Sequence, residues 1–272
     1  MKNLEMVLIQ SELVWEDPAE NRMRFERHFD KITGSPDVVV LPEMFTTGFS
    51  MNAAEVAEMH HPDNMTTLNW MRSWAKKLNA VITGSVAVSE EQLYYNRLYW
   101  VLPDGRFNTY DKRHTFSLAG EHKTYHHGQS RIIEEWRGWK ICPLICYDLR
   151  FPVWSRNGIE ENQPLYDVLI YVANWPEVRR EPWNKLLLAR AIENQCFVAG
   201  INRVGTDGSG HDYSGDSVAI SPKGEIIAAC TPHKEEVVHV LFSAQELSDF
   251  REKFPVLFDA DRFVIDGRRM RT

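Results

Sequence analysis

Nine short apolar runs, rich in β-branched and aromatic residues, recur along this sequence: LEMVLIQ, DVVVLPE, AVITGSVAV, LYYNRLYWVLP, KICPLICYD, DVLIYVANW, CFVAGINRVG, SVAISPKGE and EVVHVLFS. Each is bounded by Gly, Pro, Asp or Asn, and runs of this kind between turn formers read as strands. Helical periodicity fills several of the gaps, over Asn21 to Ile32, Thr66 to Asn79 and Trp183 to Gln195. In the second of these, Leu68, Met71, Trp74, Ala75 and Leu78 fall on one face. Strand and helix therefore alternate, which predicts an α/β fold. Two strand pairs follow one another directly, around PDGR and PKGE, and read as hairpins. Hairpins do not fit an eightfold βα barrel. They predict two mixed sheets packed face to face, with helices on the outer faces. No internal repeat of fixed period is present. With 272 residues, 43% of them hydrophobic, the chain is long enough to bury the core of a single domain spanning 1–272. Residues 243–272 read as a C-terminal helix and a basic-ended apolar tail, of a kind that either packs on a partner subunit or frays.

Charge and cysteine usage narrow the setting. The formal net charge is −7 and the Lys and Arg residues are scattered, so there is no basic footprint for nucleic acid. No run approaches the roughly 18 apolar residues of a membrane helix. MKNLEMVLIQ has a Glu inside its apolar run and no cleavage site. Cysteines at 142, 146, 196 and 230 form neither a disulfide framework nor a C-x-x-C pair, and read as reduced thiols. The expectation is a cytoplasmic protein without membrane or nucleic-acid partners.

Cys146 stands where the strand-like WKICPLIC gives way to DLRFPVWSRNG. Free cysteine is usually a buried core residue, and Cys142 is assigned that role. A thiol on a strand-to-helix bend is different, because N–H groups there favour thiolate and can hold an oxyanion. Such a nucleophile needs a proton acceptor. Histidine is the usual one, but nothing around Cys146 resembles a papain-like site. The pairs His60–His61 and His126–His127 lack metal-ligand spacing, so no metal is expected. The other route uses a carboxylate and an ammonium. Glu43 follows the strand DVVVL beside Met44 and Phe45, where partial burial would raise its pKa. Lys112 ends the second strand of the first hairpin. Glu, Lys and Cys thus stand at three strand ends.

The motifs LPEMF, YDKRHTF and ICYDLRFP resemble, in the same order, the Glu, Lys and Cys motifs of the nitrilase superfamily, the carbon–nitrogen hydrolases. The resemblance runs from the first strand to about residue 242. GEHKTYHHGQ resembles the segment carrying a second glutamate, here Glu121. CYDLRFPVWSRN, ANWP and GINRVGTDGSGHDYSGDS look most similar to the omega-amidase branch, which hydrolyses the terminal amides of 2-oxoglutaramate and 2-oxosuccinamate. The resemblance implies a four-layer αββα sandwich that pairs into a homodimer or larger assembly. It also implies a thioester mechanism. Glu43 exchanges protons, Cys146 attacks, and Lys112 with the N–H of Tyr147 stabilises the oxyanion. Glu43 or Glu121 then activates water, and no cofactor is required. Glu193, late on its helix, would orient Lys112 or else be a helix-surface glutamate. For a distal carboxylate the candidate cations are Arg150, then Arg113, the alternative for either being a structural ion pair. Phe116 and Trp175 would be apolar walls, and Asn174 ends a strand beside the nucleophile's. The alternatives are another carbon–nitrogen hydrolase, such as an N-carbamoyl amino acid or short-chain amide hydrolase, or a non-catalytic binding protein on the same fold.

Overall fold

A computed structural model of the chain describes residues 2–265. One sheet contains β1 (Leu4–Gln10), β2 (Val38–Val40), β3 (Glu58–Met59), β4 (Val81–Glu90), β5 (Leu93–Val101), β6 (Phe107–Asp111) and the last strand, β17 (Glu236–Phe242). Its order is β17-β1-β2-β4-β5-β6, with β3 paired to β4. The other sheet contains β7 (Glu134–Trp136), β8 (Trp139–Ile145), β11 (Val168–Ala173), β12 (Phe197–Asn202), β15 (Val218–Ile220) and β16 (Ile226–Ala229), in the order β16-β15-β12-β11-β8-β7. Two small ribbons stand outside both: β9 (Ile159–Glu160) with β10 (Gln163–Pro164), and β13 (Val204–Thr206) with β14 (Asp212–Ser214). The central pairs are parallel, β1–β2–β4 and β8–β11–β12. The flanking hairpins, β4–β5–β6 and β15–β16, are antiparallel.

The strand period places the sheets face to face. On β1, Leu4, Met6 and Leu8 join the apolar cluster that also holds Ile141, Leu144 and Val168 of the second sheet. The alternate residues Val7 and Ile9 pack instead with Phe25, Phe29, Leu68 and Met71 of two outer helices. Those helices are α1 (Pro18–Phe29) and α3 (Thr66–Leu78), separated in the chain by the short α2 (Ala53–Val56). Across the molecule, α4 (Glu121–Thr124) and α5 (Pro152–Ser155) are single turns, and α6 (Arg180–Asn194) lies on the second sheet through Trp183, Leu187 and Ala191. A Cβ on Gly200 of β12 would stand 2.5 Å from Leu187 Cδ1, so glycine is what lets α6 approach the sheet. The four-layer αββα arrangement is the one expected.

Boundaries moved for local reasons. Helix α1 begins at Pro18, three residues before the expected start, because the Asp17 side chain caps the Glu20 N–H and proline is well suited to the first helical position. Strand β2 is only three residues long, and the chain leaves the sheet at Pro42 for a turn in which Met44 has φ of +40°. The C-terminal helix is α7 (Ala244–Lys253), capped by the Ser243 side chain. The tail expected to meet a partner continues through a short 3₁₀ turn, Val256–Asp259, into irregular chain, and its residues 266–272 lie outside the described residues.

Candidate active site

Two antiparallel turns of the chain, β4 to β5 and β5 to β6, make β6 run the same way as β2. Their C-terminal ends therefore share one rim of the first sheet, and Glu43 and Lys112 follow those ends directly. Cys146 follows β8 in the facing sheet, and Asn174 follows its parallel neighbour β11. Four residues far apart in sequence thus meet between the two sheets.

Cys146 opens a short 3₁₀ turn, Cys146–Arg150, with φ of +42°. A non-glycine residue in the left-handed region costs free energy, and the turn holds it there. Asp148 is the clasp: its carboxylate accepts the Ile145 N–H at 3.1 Å, the Tyr110 hydroxyl at 2.7 Å, and the backbone and Nδ1 of His114 at 3.0 and 2.7 Å. The turn that Cys146 opens is in this way tied to the segment that carries Lys112. The opening N–H groups of such a turn have no partner within it, and Tyr147 lines the adjoining cavity.

Lys112 is fully buried, and its Nζ donates to Glu43 Oε1 at 2.8 Å and to both oxygens of Glu121 at 3.0 and 2.9 Å. Asn96 braces the two acids, donating to Glu43 at 2.7 Å and Glu121 at 3.3 Å. Each carboxylate oxygen has two lone pairs. Both Glu121 oxygens are saturated, since Oε2 also accepts the Phe116 N–H. On Glu43, Oε2 has a single donor, the Asn174 N–H at 2.7 Å. One lone pair of Glu43 is left, and the Glu43 charge acts on the Cys146 thiol.

Burial holds the Cys146 thiol well above its ordinary pKa; the Glu43 charge adds to this and Lys112 opposes it. The thiol therefore keeps its proton at neutral pH, and any use of it as a nucleophile would need a base. At rest it points to the Asn174 carbonyl, with Sγ to O at 3.8 Å. Burial by itself would lower the Lys112 pKa, but the charges of Glu121 and Glu43 outweigh it and keep the ammonium protonated. Burial likewise raises the Glu121 pKa, against the pull of Lys112.

A cavity of about 550 Å³ opens on these groups. Its walls include Lys112, Cys146, Tyr147, Phe116, Asn174, Trp175 and Arg150. Glu43, expected to be half-buried, is completely buried, because β2 carries it below the rim. Two expectations are corrected. Glu193 does not orient Lys112: it pairs with Arg190 at 2.8 Å on α6, and Glu43 and Glu121 hold the lysine instead. Arg113 does not face the cavity. It is buried, donates to the Gly128 carbonyl and Gln129, and lies over Trp154. The sequence reading missed Asn96, which sits inside a strand without any motif, and Arg179, a further lining residue. Among the described residues, no group of three or more His, Cys, Asp or Glu side chains could hold a metal ion, and no helix is long and apolar enough to cross a membrane.

Residues 7–252 match the family model described as carbon–nitrogen hydrolase. An omega-amidase of Escherichia coli K12 is 50% identical over 97% of this chain and 99% of its own length. A 2-oxoglutaramate amidase of Bacillus subtilis is 35% identical over 92% of this chain and 95% of its own. A crystal structure from Xanthomonas campestris, described as a superfamily protein with an arsenic adduct in its active site, superposes with a TM-score of 0.94. It shares 44% identity and covers 97% of this chain and 100% of its own.

Proposed function

The chain belongs to the carbon–nitrogen hydrolase family, and from that premise we propose that it is a cysteine-dependent amidase that cleaves the terminal amide of 2-oxoglutaramate and 2-oxosuccinamate. The observation that carries the proposal is the buried Lys112 ammonium bonded at once to Glu43 and Glu121, at the floor of the cavity that opens on Cys146. The relatives named above support the choice of substrate.

The chemistry follows from the donors and acceptors. Cys146 Sγ attacks the amide carbon while its proton passes to the spare lone pair of Glu43. The carbonyl oxygen becomes an oxyanion stabilised by Lys112 Nζ and the Tyr147 N–H. Collapse expels the amine, which takes the proton back from Glu43 and leaves as ammonia. Water then attacks the thioester, Glu43 accepting its proton, and the acid is released with the thiol restored. Glu121, with both oxygens occupied, fixes the lysine rather than the water. Asn174 positions Glu43, Phe116 and Trp175 form apolar walls, and Arg150 supplies a cation for the distal carboxylate.

We also infer a homodimer or larger assembly, for which the exposed Val153, Ile192 and Phe254 are the support. They lie in a connected region, since Arg156 donates to the Glu193 carbonyl and Gln195 to that of Phe254. Four buried, unpaired cysteines are in keeping with a reducing cytoplasm.

Ammonia release from 2-oxoglutaramate, compared with nitriles and N-carbamoyl amino acids, tests the activity. Turnover of the amide is expected. Turnover of nitriles or carbamoyl compounds alone would overturn the proposal.

A further inference from the structure

Arg150 and Arg179 both line the cavity, and both are only partly buried. Among the described residues, neither guanidinium makes a hydrogen bond or an ion pair. Each lies instead over an aromatic wall: Arg150 over Trp175 at 5.0 Å and Arg179 over Phe116 at 5.2 Å, measured to the ring centroids. The two supports are themselves joined to the site. Trp175 Nε1 donates to the Arg179 carbonyl at 2.7 Å, and Phe116 meets the Tyr147 ring at 4.9 Å.

The arginines around them are committed elsewhere. Arg180 pairs with Asp216 at 2.6 Å, Arg190 with Glu193 at 2.8 Å, and Arg203 donates to three backbone carbonyls. The two acids of the cavity wall are committed as well. Glu16 accepts from Ser50, and Asp207 accepts from the Tyr213 hydroxyl and from the Ser209 and His211 N–H groups. A half-buried guanidinium without an anion has lost hydration that an aromatic face restores only in part. Two of them on the wall of one pocket leave ten N–H donors that no protein acceptor takes up.

We propose that Arg179 is the second arm of a carboxylate clamp, closing on the substrate's distal carboxylate opposite Arg150 and setting the preference for anionic over neutral amides. The inference rests on the amidase reading and deepens it. Arginine suits the task because its planar fork meets a carboxylate with two parallel hydrogen bonds, whereas lysine offers a point charge. The aromatic faces beneath both groups hold those planes ready and limit the entropy lost on binding.

The test uses two readouts, so that clamp and substrate can fail separately. The first is the ratio of kcat/KM for 2-oxoglutaramate to that for butyramide, a neutral amide. The second is the affinity for 2-oxoglutarate, the carboxylate product, by titration calorimetry, which needs no turnover. Arg179→Met is expected to lower the ratio by about 10–100-fold, the loss for one charge-assisted contact, and to weaken 2-oxoglutarate binding similarly. Arg179→Lys should recover part of both. If Arg179→Met lowers both substrates equally, or leaves 2-oxoglutarate affinity unchanged, the clamp is overturned. If wild type binds 2-oxoglutarate through Arg179 yet does not hydrolyse 2-oxoglutaramate, the clamp stands and the substrate assignment falls.

Discussion

A single unfilled lone pair separates the roles of two buried glutamates. Glu43 and Glu121 share a lysine and an asparagine, yet only Glu43 keeps a free acceptor position next to sulfur. Glu43→Gln should therefore lower turnover by about 10²–10⁴-fold, the range for a general base, and slow alkylation of Cys146 by iodoacetamide at pH 7. Glu121→Gln removes a charge from the lysine but not the acceptor, so the thiol should alkylate faster there than in Glu43→Gln. Equal alkylation rates in the two variants would show that the spare lone pair is not what activates sulfur. Lys112→Met should reduce kcat by about 10²–10³-fold, as loss of an oxyanion donor does, measured against 2-oxoglutaramate. At this scale Glu43, Lys112 and Cys146 were legible because each ends a strand in a recognisable motif. The partner of Lys112 was not: a helical Glu193 reads much like the real partner, Glu121, until backbone placement separates them. In PEVRR, likewise, adjacent arginines face different ways, Arg179 into the cavity and Arg180 to Asp216.

Elements deliver these groups only as accurately as they pack. Helix α6 rests on β12 where Gly200 leaves room, and an added methyl would stand 2.5 Å from Leu187 and 3.0 Å from Trp183. Gly200→Ala should destabilise the protein by about 1–3 kcal/mol, the usual cost of overpacking, read as a lower midpoint in urea. A second joint ties the end of β1 to α1 and β17. There Glu235 accepts from Ser11 Oγ at 3.0 Å and the Glu12 N–H at 3.1 Å, with His28 Nε2 at 3.5 Å. The hydrogen bond with His28, then those with Glu12 and Ser11, lowers its pKa from 4.5 to about 2. A depressed folded-state pKa stabilises above the unfolded value, so this contribution is present above pH 4.5 and disappears as pH falls towards about 2. Partial exposure limits it to about 1 kcal/mol or less. Denaturant midpoints of Glu235→Gln across that window should fall less steeply with acid than those of wild type. An unchanged slope would remove Glu235 from the acid response. Strand and helix identities were readable here because periods of 2 and 3.6 differ. Their ends were not, because a cap at Asp17 or a turn at Pro42 acts through local geometry.

At the scale of the molecule, the exposed Ile192 on α6 is one of the groups the inferred assembly would cover. Light scattering should give at least twice the 31.6 kDa chain mass, and Ile192→Glu should shift the protein towards the monomer. A monomeric wild type at micromolar concentration would end that inference. By itself, the sequence determined the fold class, two mixed sheets under helices, and pointed to Glu43, Lys112 and Cys146 as the proposed acid, amine and thiol. Apolar periodicity and motif order are local properties, written in consecutive residues. Only tertiary structure decided that Asn96 braces both glutamates, that Glu121 and not Glu193 holds Lys112, and that Arg179 faces the cavity. Those are contacts between side chains carried by separate strands, turns and helices, and which of them meet depends on twist, register and loop path, which no short stretch of sequence encodes.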